Sequence, residues 1–207
     1  MKYDRRNLYQ YYISILKENH LIICLFHNDN DFNLKKIKIN FLLFSFALFY
    51  FVNTLFFTDI TIHYILKGKN FSFFIPQILY STIISHFIII IFKIIFSIKN
   101  IIFEIPKKNE FEDEYKIKKF MKEIKIKFIL FFIICIFLSI IFWYYISCFC
   151  AVYKKVQNYL IIYTCISFAL FALSPFIIYL FAGLARMESI KNKGKLLFSF
   201  GQILKYF

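Results

Sequence analysis

Three groups of residues have the types and spacing that chemistry needs. The stretch Ile140 to Lys154, IIFWYYISCFCAVYK, holds the pair Cys148 and Cys150, the kind of arrangement that serves thiol redox work or grips a metal ion. Asp59 and His63, four residues apart in TDITIH, would share one face of a helix, as metal ligands or as a hydrogen-bonded pair that orders a loop. His86 is the only readily charged side chain set well within a long apolar stretch. With Asn53 and Gln77 it would line a polar path or make contacts between helices. None of these sets completes a catalytic site. Two ligands fall short of a zinc site, and residues two apart on a helix point about 200° apart, so the thiols of Cys148 and Cys150 diverge. There is no Ser-His-Asp or Cys-His arrangement, and with 4 Gly in the chain there is no phosphate-cradling glycine loop. No enzymatic activity, cofactor or resident metal is expected.

The elements that hold these residues are read from where charge is absent. Phe41 to Phe57, Phe71 to Phe92, Phe128 to Val152 and Tyr159 to Gly183 contain no Asp, Glu, Lys or Arg. A helix needs about 20 apolar residues to cross the hydrocarbon, so three windows suffice and the first does so if Ile37, Ile39 and Thr58 extend it. Composition alone is a weaker guide. The 31 Phe, 15 Tyr and 23 Lys against 3 Arg, 4 Gly and 3 Pro suggest coding biased to A and T, as in an AT-rich genome. Such bias does not clear four windows of charge. The fold class predicted is all-α: an integral membrane four-helix bundle, with cytosolic helical extensions and amphipathic interfacial helices at both ends. Its parts are an N-terminal segment 1–40, a membrane domain 41–183 with spans at about 39–58, 71–92, 128–152 and 159–183, and a tail 184–207.

Of the 26 Lys and Arg, 22 fall in segments 1–40, 93–127 and 184–207, and 4 in segments 58–70 and 153–158. The positive-inside rule therefore places both termini in the cytosol. The +14 net charge then faces anionic lipid headgroups of the inner leaflet and is not the footprint of a nucleic-acid binder. No signal peptide is expected, the first span serving as its own anchor. The sequon at Asn70 falls in a predicted outer loop, too near the bilayer for modification. In this topology Trp143, Tyr144 and Tyr145 form an aromatic belt at the outer end of the third span. A disulfide between Cys148 and Cys165 is geometrically conceivable, since Cys165 starts near the same leaflet.

Polar residues within the spans are Asn53, Gln77, Ser81, Thr82, Ser85, His86 and Ser167. Pro76 and Pro175 are expected to kink their helices, with Ser81 and Ser174 taking up the disturbed backbone groups. Ile94, Ile95, Ile98, Ile101, Ile102 and Ile105 repeat at helical spacing up to Pro106, and Ile117, Phe120, Met121 and Ile124 form a second stripe after Glu110 to Glu114. Together they predict a helical hairpin over 93–127 that packs on itself or offers a groove to a partner. Residues 5–26 and the tail carrying Leu196, Leu197, Phe200, Ile203, Leu204 and Phe207 read as interfacial amphipathic elements.

Several strings together resemble a known block: DRRN and YYISILKENHLI near the start, NTLFFTDITIH, PQILYSTIIS, FWYYISCFCAVYK and ISFALFALSPF. In order and spacing they are similar to the C-terminal membrane block of very large protist surface proteins. More distantly, that block resembles the membrane region of polycystin-one-like proteins. The resemblance covers about residues 4–205. It implies a non-enzymatic anchor or helix-packing scaffold in a larger receptor-like or channel-associated protein of the plasma or ciliary membrane, beginning and ending in the cytosol. Its partners would be the lipid bilayer, a membrane protein or further domains of a longer chain. Two other readings stay open: a small oligomeric channel or transporter with a polar path near His86 and Gln77, and a membrane thiol oxidoreductase using Cys148 and Cys150.

Overall fold

In lipid, a backbone can satisfy its own N–H and C=O groups within one segment only as a helix, and the uncharged windows all adopt that form. The computed structural model describes residues 6–20, 22–23, 35–68, 74–95, 114–192, 199–201 and 204. Its principal helices are α1 Leu8–Asn19, α2 Lys35–Phe56, α3 Asp59–Leu66, α4 Ile75–Ile95, α5 Glu114–Val152 and α6 Gln157–Asn192. A single 3₁₀ turn at Lys154–Val156 joins the last two. No strand occurs among the described residues. Four stretches are long and apolar enough to cross a membrane: Lys38–Phe56, Ile75–Ile95, Lys125–Val152 and one within Lys154–Lys191. The chain is thus an all-α membrane protein. The sequon, the bend at Pro106, the acidic turn and most of the tail lie outside the described residues.

Local chemistry sets the helix ends. α2 begins at Lys35 and so takes in Ile37 and Ile39, but it stops at Phe56. Thr58 belongs to the next element, where its Oγ1 caps α3 by accepting from the Thr61 N–H at 3.4 Å. Gly68, at φ +68°, closes α3 in the left-handed region that glycine enters without penalty, and its N–H donates to Ile65 O at 3.0 Å. Pro76 departs from expectation. It is the second residue of α4, in the first turn, where its missing N–H would have no intrahelical partner anyway. It therefore frees no carbonyl for Ser81 to satisfy. Pro175 lies inside α6 as expected, and Ser174 Oγ donates at 2.9 Å to Phe171 O, the carbonyl whose helical donor the proline removed.

The shortest window forms the central helix. Half of the α2 span is buried inside the protein, against 28% for α4 and α6 and 17% for α5. α2 touches all three other spans, α4 and α6 also touch each other, and α5 rests mainly on α2. Aromatic rings fill these contacts: Phe44 lies 4.9 Å from Phe92 of α4, Phe51 stacks at 4.5 Å on Phe142 of α5, and Phe49 lies 5.1 Å from Phe171 of α6. The outer side of α5, with Ile133, Phe137, Ile140 and Tyr144, is uncovered.

α1 docks lengthwise and antiparallel on α6. Arg186 Nη1 donates to Arg6 O at 3.4 Å, Tyr12 OH donates to Phe176 O at 3.3 Å, and His20 reaches Ala172 O at 2.9 Å. Tyr11, Ile15 and Leu16 bury against Tyr179 in a small core of their own. Glycines permit both close approaches to the end of α6. A Cβ on Gly183 would sit 2.9 Å from Leu8 Cδ1, and one on Gly201 of the tail would sit 3.3 Å from Ala182 O. The N-terminal element is therefore held along the last span. Ala172 precedes Gly183 by eleven residues, about 16 Å along the helix.

Replacing Gly183 with leucine should push α1 off α6, at a cost of about 1–3 kcal/mol to that contact. Hydrogen exchange checks this: Leu8–Asn19 should lose protection while α2 keeps its own.

Candidate functional site

The most connected polar group in the bundle is built on Asn53. The turn Phe49 to Asn53 of α2 faces α4 and α6, and Asn53 is fully buried there. Its Nδ2 donates to Phe49 O at 2.9 Å, one turn back, which aims Oδ1 across the interface. Oδ1 accepts from Ser81 Oγ of α4 at 2.8 Å and from Ser167 Oγ of α6 at 3.3 Å, and the two hydroxyls lie 3.4 Å apart. One amide therefore ties three spans at one level. Small hydroxyl side chains also let the helix backbones approach closely.

More polar atoms continue along the α4–α6 contact. On α4, Gln77 and Ser85 flank Ser81 by one turn on either side and share its face. On α6, Thr164 lies nearly one turn before Ser167. Ser85 Oγ, Thr164 Oγ1 and Gln77 Nε2 are buried and have no hydrogen-bond partner among the described residues. Gln77 Oε1 accepts from Thr61 Oγ1 at 3.2 Å, which links this column to α3. His86 stands elsewhere. Nine residues beyond Gln77, it points about 180° away around α4, and its ring meets Phe171 edge-on at 5.0 Å.

The other groups singled out from sequence are not drawn together. Asp59 and His63 are both exposed on α3. The Asp59 carboxylate accepts from Tyr153 OH at 3.4 Å, which ties α3 to the α5–α6 turn, while the His63 ring lies 6.3 Å from Tyr64. Cys148 and Cys165 are free and exposed. α5 does continue through Cys148 and Cys150, so the two thiols diverge as helix geometry requires. Cys150 is half-buried and packs, with Tyr50, against the cluster around Phe57, Leu160 and Tyr163. Trp143 lies 5.8 Å from Tyr50 and Tyr145 meets Phe51 edge-on at 5.4 Å, both still partly exposed. Among the described residues no three His, Cys, Asp or Glu side chains gather to hold a metal ion.

Sequence reasoning had no hold on two features. His20 is 3% exposed and Arg186 is 4% exposed, and both belong to the α1–α6 contact. The Arg186 guanidinium lies 4.1 Å from the centre of the Tyr11 ring, with Arg6 5.5 Å from it. The available signal was the aromatic cluster YQYYISIL with a lone histidine four residues after it, a pattern equally suited to a free surface helix.

With the geometry described, comparison with known proteins adds no relative: no family model, curated protein or solved structure matches the chain.

Asn53→Ala should weaken the bundle by about 0.6–2 kcal/mol, the range of interhelical hydrogen bonds in membranes. Ser167→Ala should cost less, because Ser81 remains on Asn53 Oδ1. A double-mutant cycle of the two, read from unfolding in lipid or mild detergent, should give a positive coupling energy.

Proposed function

We propose that this chain is a multi-pass membrane module that acts as an anchor and helix-packing scaffold within a larger receptor-like or channel-associated assembly. The observation that carries this reading is the asymmetry of burial. α2 touches all three other spans and is half buried, whereas α5 meets little but α2 and offers the rest of a 28-residue apolar window to lipid or to another membrane helix. A helix of this kind suits a role at the border of an assembly. The resemblance of NTLFFTDITIH, PQILYSTIIS and FWYYISCFCAVYK to a protist membrane block points the same way. In this reading both termini and the 93–127 segment are cytosolic, where 22 of the 26 Lys and Arg meet anionic headgroups.

A second reading is a small channel or transporter. It draws on the buried polar column of Gln77, Ser81, Ser85, Thr164 and Ser167, whose orphaned hydroxyls could hold water. A path on this column would run between α4 and α6 and leave His86 aside.

Two experiments separate these readings. Glycosylation acceptors inserted with spacers into the 58–70 and 153–158 loops should be modified and one in 93–127 should not; a glycan in 93–127 would overturn the topology. Purified protein in liposomes should pass no ions or small solutes if the module is an anchor. Flux that Ser81→Val reduces would favour the channel.

A further inference from the structure

Pro175 disturbs the wall of α6, and α1 supplies a side chain to the disturbed stretch. Because proline has no N–H and its ring crowds the preceding turn, the carbonyls just before it are poorly served by the helix. Phe171 O receives Ser174 Oγ. The next carbonyl, that of Ala172, receives His20 Nε2 at 2.9 Å from α1. A carbonyl only accepts, so Nε2 carries the proton. Nδ1 then faces the Ile23 N–H at 3.3 Å and must be a bare acceptor. Both contacts together define one form of the ring, the neutral imidazole protonated at Nε2. The ring is also covered, 3% exposed and tilted against Phe176 at 4.7 Å.

We propose that α1 is a pH-sensitive clamp: neutral His20 fastens it to the Ala172 carbonyl, three residues before Pro175, and protonation at Nδ1 releases it from α6. A proton on Nδ1 would set two donors against each other, the new N–H and that of Ile23. It would also place a positive charge in an apolar pocket. Among the described residues, the charged and titratable groups around the ring offer no relief. On α1 they are Tyr11, Tyr12 and Lys17; on α6 Tyr179 and, further along, Arg186; on α4 Lys93. Burial is the largest influence and holds the His20 pKa below its usual 6.5; the Ala172 contact opposes this, and Lys93 adds to the lowering.

The direction of the effect follows. Above pH 6.5, the ordinary histidine value, docked and released forms are both neutral and the clamp holds fully. Below it, the released form takes up a proton that the docked form resists. The docking constant then falls by up to about tenfold per pH unit until the docked pKa is reached. Release would uncover the face of α6 around Ala172, Phe176 and Tyr179.

The test uses the full chain in lipid nanodiscs, with hydrogen exchange of Leu8–Asn19 corrected for the intrinsic effect of pH. On going from about pH 7.5 to about 5.5, protection of this segment should fall about fivefold or more while α2 stays unchanged. In His20→Gln, whose amide can donate to Ala172 O but cannot take up a proton, protection should be the same at both values. Constant protection in the wild type, or an equal fall in His20→Gln, would overturn the proposal. Should His20→Gln fail to fold, NMR titration of the wild-type ring decides. A His20 that titrates below 6.5 together with loss of α1 protection supports the clamp; one that titrates at or above 6.5 with α1 still protected refutes it.

Discussion

A side-chain amide with no water at hand must find its partners in the protein, and Asn53 finds its partners on its own helix and two others. Much of the arrangement depends on that constraint. α2 is central because its face toward α4 and α6 carries the amide, and because rings on its other sides pack on Phe92 and Phe142. Apolar surface alone gives helices in lipid little reason to choose one neighbour or one register over another, since acyl chains are as apolar as leucine. A hydrogen bond that must be made supplies that choice. Slipping α4 by one residue would take Ser81 from the Asn53 oxygen, and slipping α6 would take Ser167.

The same accounting applies to the backbone at Pro175. The proline removes the helical donor to Phe171 O, which Ser174 Oγ replaces, and His20 of α1 adds a donor to the next carbonyl, that of Ala172. Through His20, the stretch before Pro175 becomes a docking point for the first helix. α1 is thereby tied along the last span. Its own contacts grade from charged to apolar along its length, from Arg6 and Arg186 on Tyr11, through Tyr12 on Phe176, to His20 on Ala172.

Much of the fold was legible because it follows from one-dimensional facts. Each charge-free window falls on one of the four long apolar helices, and helix geometry alone separated the thiols of Cys148 and Cys150. Pro76 was misread because a proline in the first turn and one in the interior look alike until the helix start is known; Ile75 proved to be that start. Asn53, Ser81 and Ser167 were visible as polar residues in apolar windows. Their convergence was not, since which faces of three helices meet depends on packing and leaves no trace in any single window. Windows that are apolar all round also conceal rank: nothing marked the shortest as the most enclosed.

Among the described residues there is a tied inner group, α2, α4 and α6, with α1 docked outside it and α5 leaning mainly on α2. That division suits a module whose uncovered helix meets lipid or another protein while the tied group keeps its shape. The claim beneath it is that Asn53 joins three spans, and solid-state NMR on the labelled protein in bilayers tests it most directly. Through-space correlations from the Asn53 side-chain carbonyl carbon to both Ser81 Cβ and Ser167 Cβ are the predicted result. An Asn53 amide that correlates with water or lipid and with neither serine would contradict it.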